Sequence, residues 1–76
     1  MISAFVLISV NSGAEKTVVE KLKVIPEVQL VHEVYGEWDI IAKIEVADIR
    51  NLDSIISVKI RRIPEVKLTS TMVVAG

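Results

Sequence analysis

The sequence predicts an α+β domain with the element order βαββαβ, and three observations carry that reading. Four short β-prone runs are separated by two segments whose apolar residues recur every three or four positions. A proline follows each of those segments, where its missing amide hydrogen stops a helix. The tetrapeptide Ile-Pro-Glu-Val stands at both junctions, as Ile25, Pro26, Glu27 and Val28 and again as Ile63, Pro64, Glu65 and Val66, so the chain reads as two like halves.

Residues 2–10 form the first predicted strand, closed by the turn-forming Asn11, Ser12 and Gly13. Residues 14–25 follow as a helix with Val18, Leu22 and Ile25 on one face and Ser12 or Gly13 as its cap. Residues 28–35 resume β character until Gly36 and Glu37 interrupt it. Trp38, Ile40, Ala42, Ile44 and Val46 then alternate with Asp39, Ile41, Lys43 and Glu45, which is the period of a partly exposed strand, so strands two and three make a hairpin. Asp48 is suited to cap a second helix whose Ile49, Leu52, Ile56, Ile60 and Ile63 share a face as far as Pro64. Residues 66–74 supply the fourth strand. Two strand-helix-strand halves joined in this way give the split βαβ, ferredoxin-like plan: a four-stranded antiparallel sheet with two helices on one face.

Composition narrows the function. Seventy-six residues make one domain, and the absence of cysteine excludes disulfides and thiolate metal sites and makes a cytoplasmic location the expectation. Charged residues reach 25% and no apolar run is long enough to span a bilayer, so no membrane partner is expected. Met1 leads straight into a strand-like run, without the features of a secretory signal. A net charge of −1 gives no electrostatic pull toward phosphate backbones, so direct nucleic-acid binding is disfavoured. The basic cluster Lys59, Arg61 and Arg62 reads as the solvated last turn of the second helix, complementing its dipole. Both faces of the strands carry large apolar groups: Phe5 and Leu7 alternate with Val6, Ile8 and Val10, and Val31 with Leu30 and Val34. Two helices cover one face only, so the other predicts a homodimer packed sheet to sheet.

Chemistry-bearing residues are sparse. His32 stands next to Glu33 within a strand, so the two side chains point to opposite faces and form no dyad; His32 reads as a structural or interface residue. No metal-ligand spacing and no phosphate loop is present, so neither metal nor cofactor is expected and the chain reads as non-enzymatic. Two features remain. The loop Gly36-Glu37-Trp38-Asp39 offers backbone amides to a carboxylate and the Asp39 carboxylate to an ammonium group. Thr69 and Thr71 point to one sheet face, where their hydroxyls can hydrogen-bond a small zwitterion or a neighbouring subunit. A free amino acid carries both charges, although a turn followed by a polar β-prone strand accounts for the same residues without a ligand.

The order and spacing of these segments resemble the C-terminal regulatory (RAM) domain of the Lrp/AsnC family of transcription regulators. The residues that carry the resemblance are AFVLISV, the hairpin VHEVYGEWDIIAKIEV with its G-x-x-D loop, the helix DIRNLDSIISVKIRRI, and IPEVKLTSTMVV with its T-x-T. The resemblance implies amino-acid effector binding between dimers, with Gly36 and Asp39 in the effector loop, Trp38 at its aromatic position, Thr69 and Thr71 as the hydroxyls of the last strand, and Tyr35 and Glu37 lining the site. Full-length members carry a helix-turn-helix domain, whereas this chain starts one residue before its first strand. The implied form is therefore a stand-alone RAM protein: a metabolite-responsive ring of dimers, or a partner of full-length regulators. A small dimeric α+β barrel enzyme using His32 and a ligandless oligomerisation module are the alternative readings.

Overall fold

Alternating residues Ala4, Val6, Ile8 and Val10 fix the centre of the fold. All four are buried, and the strand that bears them, β1 (Ile2–Val10), is hydrogen-bonded on both sides in the computed structural model, which describes residues 1–76. The other elements are α1 (Glu15–Lys23), β2 (Val28–Glu33), β3 (Ile40–Val46), α2 (Ile49–Ser54), which runs on as a π-helical segment (Ile55–Ile60), and β4 (Val66–Val73). The strand order is β2-β3-β1-β4 with every neighbouring pair antiparallel. This is the βαββαβ sheet with two helices on one face that the alternation and the paired Ile-Pro-Glu-Val junctions predict.

The helix-covered face is aliphatic. Ala4, Val6, Ile8 and Val10 of β1 and Ile40, Ala42, Ile44 and Val46 of β3 meet Val18, Leu22 and Ile25 from the first half and Leu52, Ile55, Ile60 and Ile63 from the second. The opposite face carries no helix. Its rows run across the sheet as Met72, Phe5, Lys43 and Leu30, then Ser70, Leu7, Ile41 and His32, with Leu68 beside Ser9. Leu30, Leu68 and Met72 are exposed there, and the Lys43 ammonium lies 6.0 Å from the Phe5 ring centre.

Several boundaries differ from the sequence reading. β2 ends at Glu33 and β3 begins at Ile40, so Tyr35 and Trp38 belong to the connecting loop, because Gly36 at φ +138° turns the chain out of the ladder there. Neither Ser12 nor Gly13 caps α1: the cap position is Ala14, which has no side-chain acceptor. Asp48 does cap α2, accepting the Asn51 amide at 2.8 Å.

The larger correction concerns the second helix. Ile49 is 56% exposed while Ile55 is buried, so the core face keeps Leu52, Ile60 and Ile63 of the expected row, with Ile56 packed beside them, and takes Ile55 in place of Ile49. The cause is the π turn, in which hydrogen bonds close over five residues, as from the Arg61 amide to the Ile56 carbonyl at 2.8 Å. Wider turns bring Ile55 and Ile60 onto the same buried side.

The two halves are locked to one another by crossed ion pairs. Lys21 of α1 reaches Glu65 at the second junction (3.0 Å), and Lys59 of the π segment reaches Glu27 at the first (3.6 Å). The step that carries Ile25 onto Ile63 also carries Lys21 onto Lys59 and Glu27 onto Glu65. Backbone bonds repeat in the same way, with Val28 N–H on the Ile25 carbonyl and Val66 N–H on the Ile63 carbonyl, both 3.0 Å.

The Lys21 hydrogen bond, then a backbone hydrogen bond, holds the Glu65 carboxyl below its ordinary value of 4.5. Stabilisation from this pair is therefore complete above that ordinary value and is lost as the pH falls through the lower folded-state value. The pair is exposed and salt-screened, so the effect is small. Thermal melts at low salt should show Glu65→Gln slightly below the wild type at pH 7, the gap closing in strong acid; a gap that widens in acid contradicts the assignment. Leu22→Ala should cost about 2–5 kcal/mol in urea unfolding, since the side chain is wholly buried.

Candidate functional site

Asp39 closes the hairpin loop from its far end. Its Oδ2 accepts the Val10 amide of β1 at 2.9 Å, its own amide donates to the Ile8 carbonyl at 3.0 Å, and its carbonyl accepts the Val34 amide at 2.9 Å. The loop is thereby pinned to the end of the central strand. By contrast the amides of Tyr35, Gly36, Glu37 and Trp38 enter no hydrogen bond within the chain, and Tyr35 is fully exposed. Trp38 is half-buried. Val34, Tyr35 and Asp39 border a hollow of about 340 Å³ whose other walls are Glu15 and Glu33.

Thr69 and Thr71 share a face. They stand opposite Ile8 and Val6, which places them on the helix-covered side of the sheet, on its β4 edge. There they line a groove of about 370 Å³ together with Ile49, Leu52, Ile56 and Val73, and with Asp53, Ser57 and Arg61 of the second helix. Asp53 and Arg61 take part in none of the chain's ion pairs.

The loop and the hydroxyls are near one another without meeting. Ile8 accepts the Asp39 amide on one side and pairs with Thr69 on the other, so one strand separates them, on the order of 10 Å between backbones. Within one chain they border different hollows. The sequence reading did not single out Asp53 or Ser57, and it assigned Arg61 to the solvated last turn. Asp53 and Arg61 stand 38 residues after Glu15 and Lys23, the step that relates the two halves, so nothing in the sequence sets them apart from their counterparts; the second helix begins four residues earlier in its half than the first. His32 lies exposed on the uncovered face opposite Ile41, away from both hollows.

A four-stranded antiparallel βαββαβ sheet with two helices on one face and the other face uncovered is a small domain of ferredoxin-like form. The chain belongs to the Lrp/AsnC ligand binding domain family, whose profile matches residues 3–76. An uncharacterised HTH-type transcriptional regulator of Pyrococcus furiosus is 40% identical over 74 residues, covering 93% of this chain and 49% of that protein. The structure described as FFRP-DM1 superposes with a TM-score of 0.96 at 44% identity, covering 99% of this chain and all of that one. A Neisseria meningitidis transcriptional regulator, solved as a complex with L-Met, shares the fold at a TM-score of 0.92 and 17% identity, covering 99% of this chain and 50% of that one. The chain spans about half the length of the regulators it matches by sequence. No helix is long and apolar enough to cross a membrane.

Asp39→Ala should destabilise the fold by about 1–3 kcal/mol, because the Val10 amide loses a charged acceptor. Hydrogen exchange at Val10 should accelerate in that variant, with Asp39→Asn intermediate. Unchanged protection at Val10 would remove the anchoring role.

Proposed function

We propose that this domain binds a free amino acid or similar small metabolite at subunit boundaries and couples occupancy to its assembly. The observation that carries the reading is the run of four unengaged amides, from Tyr35 to Trp38, held in place by Asp39 at the end of the sheet that also presents Thr69. Such amides receive a carboxylate. Gly36, Glu37, Trp38 and Tyr35 form the loop side of the site, and Thr69 and Thr71 the groove side. Since Tyr35 and the two threonines line separate hollows in one chain, the complete site joins the loop of one protomer to the groove of another. The L-Met complex of the Neisseria regulator is in keeping with that ligand class.

Assembly rests on the uncovered sheet face. Phe5, Leu7, Ile41, Leu30, Leu68 and Met72 give it a largely apolar surface, interspersed with Lys43, Ser9 and Ser70, that a second copy covers by packing sheet on sheet. Dimers then join into a ring, and a ligand lying between dimers favours the assembled state; a preference of about 1–3 kcal/mol is ordinary for such coupling. Full-length Lrp/AsnC regulators present an equivalent domain and are the heterologous partners this reading admits. His32 faces the proposed dimer contact and has no catalytic role in it.

A thermal-shift screen of the twenty amino acids at millimolar concentration tests the binding step, because a ligand of the folded state must raise the apparent melting point. At least one should stabilise the protein, and Thr71→Val, which keeps shape and strand preference, should weaken that ligand about tenfold. No shift with any of the twenty sinks the amino-acid reading. Sedimentation tests the assembly step: Leu7→Glu should convert dimers to monomers, and an unchanged sedimentation coefficient would show that the dimer uses another face.

A further inference from the structure

The uncovered sheet face is not uniform. Among the strand residues that the register places on it, Lys43 and Glu45 of β3 are the charged ones. The step of 38 residues that relates the two halves puts Phe5 and Leu7 of β1 at the same two positions, so one half fills them with apolar side chains and the other with a cation and an anion. Lys43 stands opposite Phe5 and Glu45 opposite Ser3, on the two middle strands of the sheet. Their contacts within the chain are slack. The Lys43 ammonium lies 3.9 Å from Glu45 Oε2 and 6.0 Å from the Phe5 ring centre, and the Ser3 hydroxyl donates to the same Oε2 at 3.5 Å. Glu45 Oε1 accepts no hydrogen bond within the chain. An ammonium has three donors and a carboxylate accepts on both oxygens, so much of the capacity of this pair is unused. Both side chains are already two-thirds out of water, at 33% and 34% exposure, before anything covers the sheet.

We propose that Lys43 and Glu45 are the self-recognition pair of the dimer: the Lys43 ammonium of one protomer is answered by the partner's Glu45, and the reciprocal pair forms by symmetry. The assignment rests on the sheet-on-sheet reading above and adds to it the choice of partner. Apolar rows supply contact area but discriminate poorly, because any domain of this form with an apolar sheet packs on them. A charge covered without an opposite charge is strongly unfavourable, so Lys43 and Glu45 reject a sheet that meets them with apolar groups or with the same sign. A second copy of this chain satisfies both at once. In an isologous contact the two-fold axis that brings Lys43 of one protomer to the partner's Glu45 returns the opposite pair, which requires β3 to cross its own copy near Ile44. Packed sheets lie about 10 Å apart, a gap that a lysine and a glutamate reaching toward one another span.

Subunit mixing of full chains tests the assignment, read by native mass spectrometry with the wild type isotopically labelled. The charge-exchanged chain, Lys43→Glu with Glu45→Lys, keeps the wild-type mass and net charge. It should dimerise with itself within about threefold of the wild-type dissociation constant, whereas in an equal mixture with wild type the mixed dimers should fall from the statistical half to below about a fifth. Lys43→Glu alone and Glu45→Lys alone should each weaken self-association about tenfold and should pair with one another when mixed. These single variants carry the test if circular dichroism shows that the exchanged chain does not fold. Mixed dimers at the statistical half, or single variants that self-associate like the wild type, show that the two charges pair only within each chain; the self-recognition assignment is then wrong while sheet packing stands. A wild type that stays monomeric, or a Leu7→Glu chain that stays dimeric, removes the sheet-on-sheet reading itself, and this assignment with it.

Discussion

Every part of this domain is referred to β1. It is a central strand bonded on both sides, its four inward residues are buried, and its C-terminal end receives the other half of the chain: the Val10 amide is taken by Asp39, and the Asn11 amide just beyond it by the Glu65 carbonyl at 2.9 Å. A one-residue slip of such a strand would turn Phe5 and Leu7 into the helix layer and expose Val6 and Ile8. The side-chain anchor at Val10 resists that slip where the regular ladder gives out. The same anchor sets the position of the β2–β3 loop, so the constraint that fixes the register also fixes one wall of the proposed site.

The uncovered sheet face follows from the economy of a short chain. Two helical segments can shield one side of a four-stranded sheet, and residues left on the other side stay apolar only at the cost of solubility unless something covers them. Rows such as Phe5 with Met72 and Leu7 with Ile41 are continuous across neighbouring strands rather than scattered. For a domain of this size a second copy also supplies burial that the single core cannot.

Most of this architecture was legible in the residues. Period-two alternation in residues 2–10 and 40–46, helical recurrence of Val18 and Leu22, and two prolines at like junctions are local signals, and each survives in the fold because no long-range contact opposes it. Asp48 as a cap was legible for the same reason. What escaped depends on partners distant in sequence or on a non-standard helical period. Nothing local to Asp39 announces that its carboxylate belongs to Val10, and a reader counting in steps of three and four places Ile49 in the core and overlooks Ile55. The loop residues Tyr35 and Trp38 were assigned to strands because their side chains are β-prone, whereas the backbone at Gly36 had already left the ladder. Placement of Thr69 and Thr71 on a common face was readable; that this is the helix-covered face required the pairing with Ile8 and Val6.

The internal duplication separates what holds the fold from what serves a ligand. Wherever the two halves agree, at the Ile-Pro-Glu-Val turns, at Lys21 and Lys59, at Glu27 and Glu65, the residues make the same backbone turns and the same crossed ion pairs, and their role is structural. Departures fall in two places: the loop that joins the halves, which has no counterpart because it occurs once, and the start of the second helix, where Ile49 stands 38 residues after Asn11 of the turn before α1. The joining loop is the segment that leaves amides unengaged, from Tyr35 to Trp38. A duplicated scaffold repeats its own backbone contacts, so the unengaged amides fall where the symmetry breaks, in the loop at one end of the sheet.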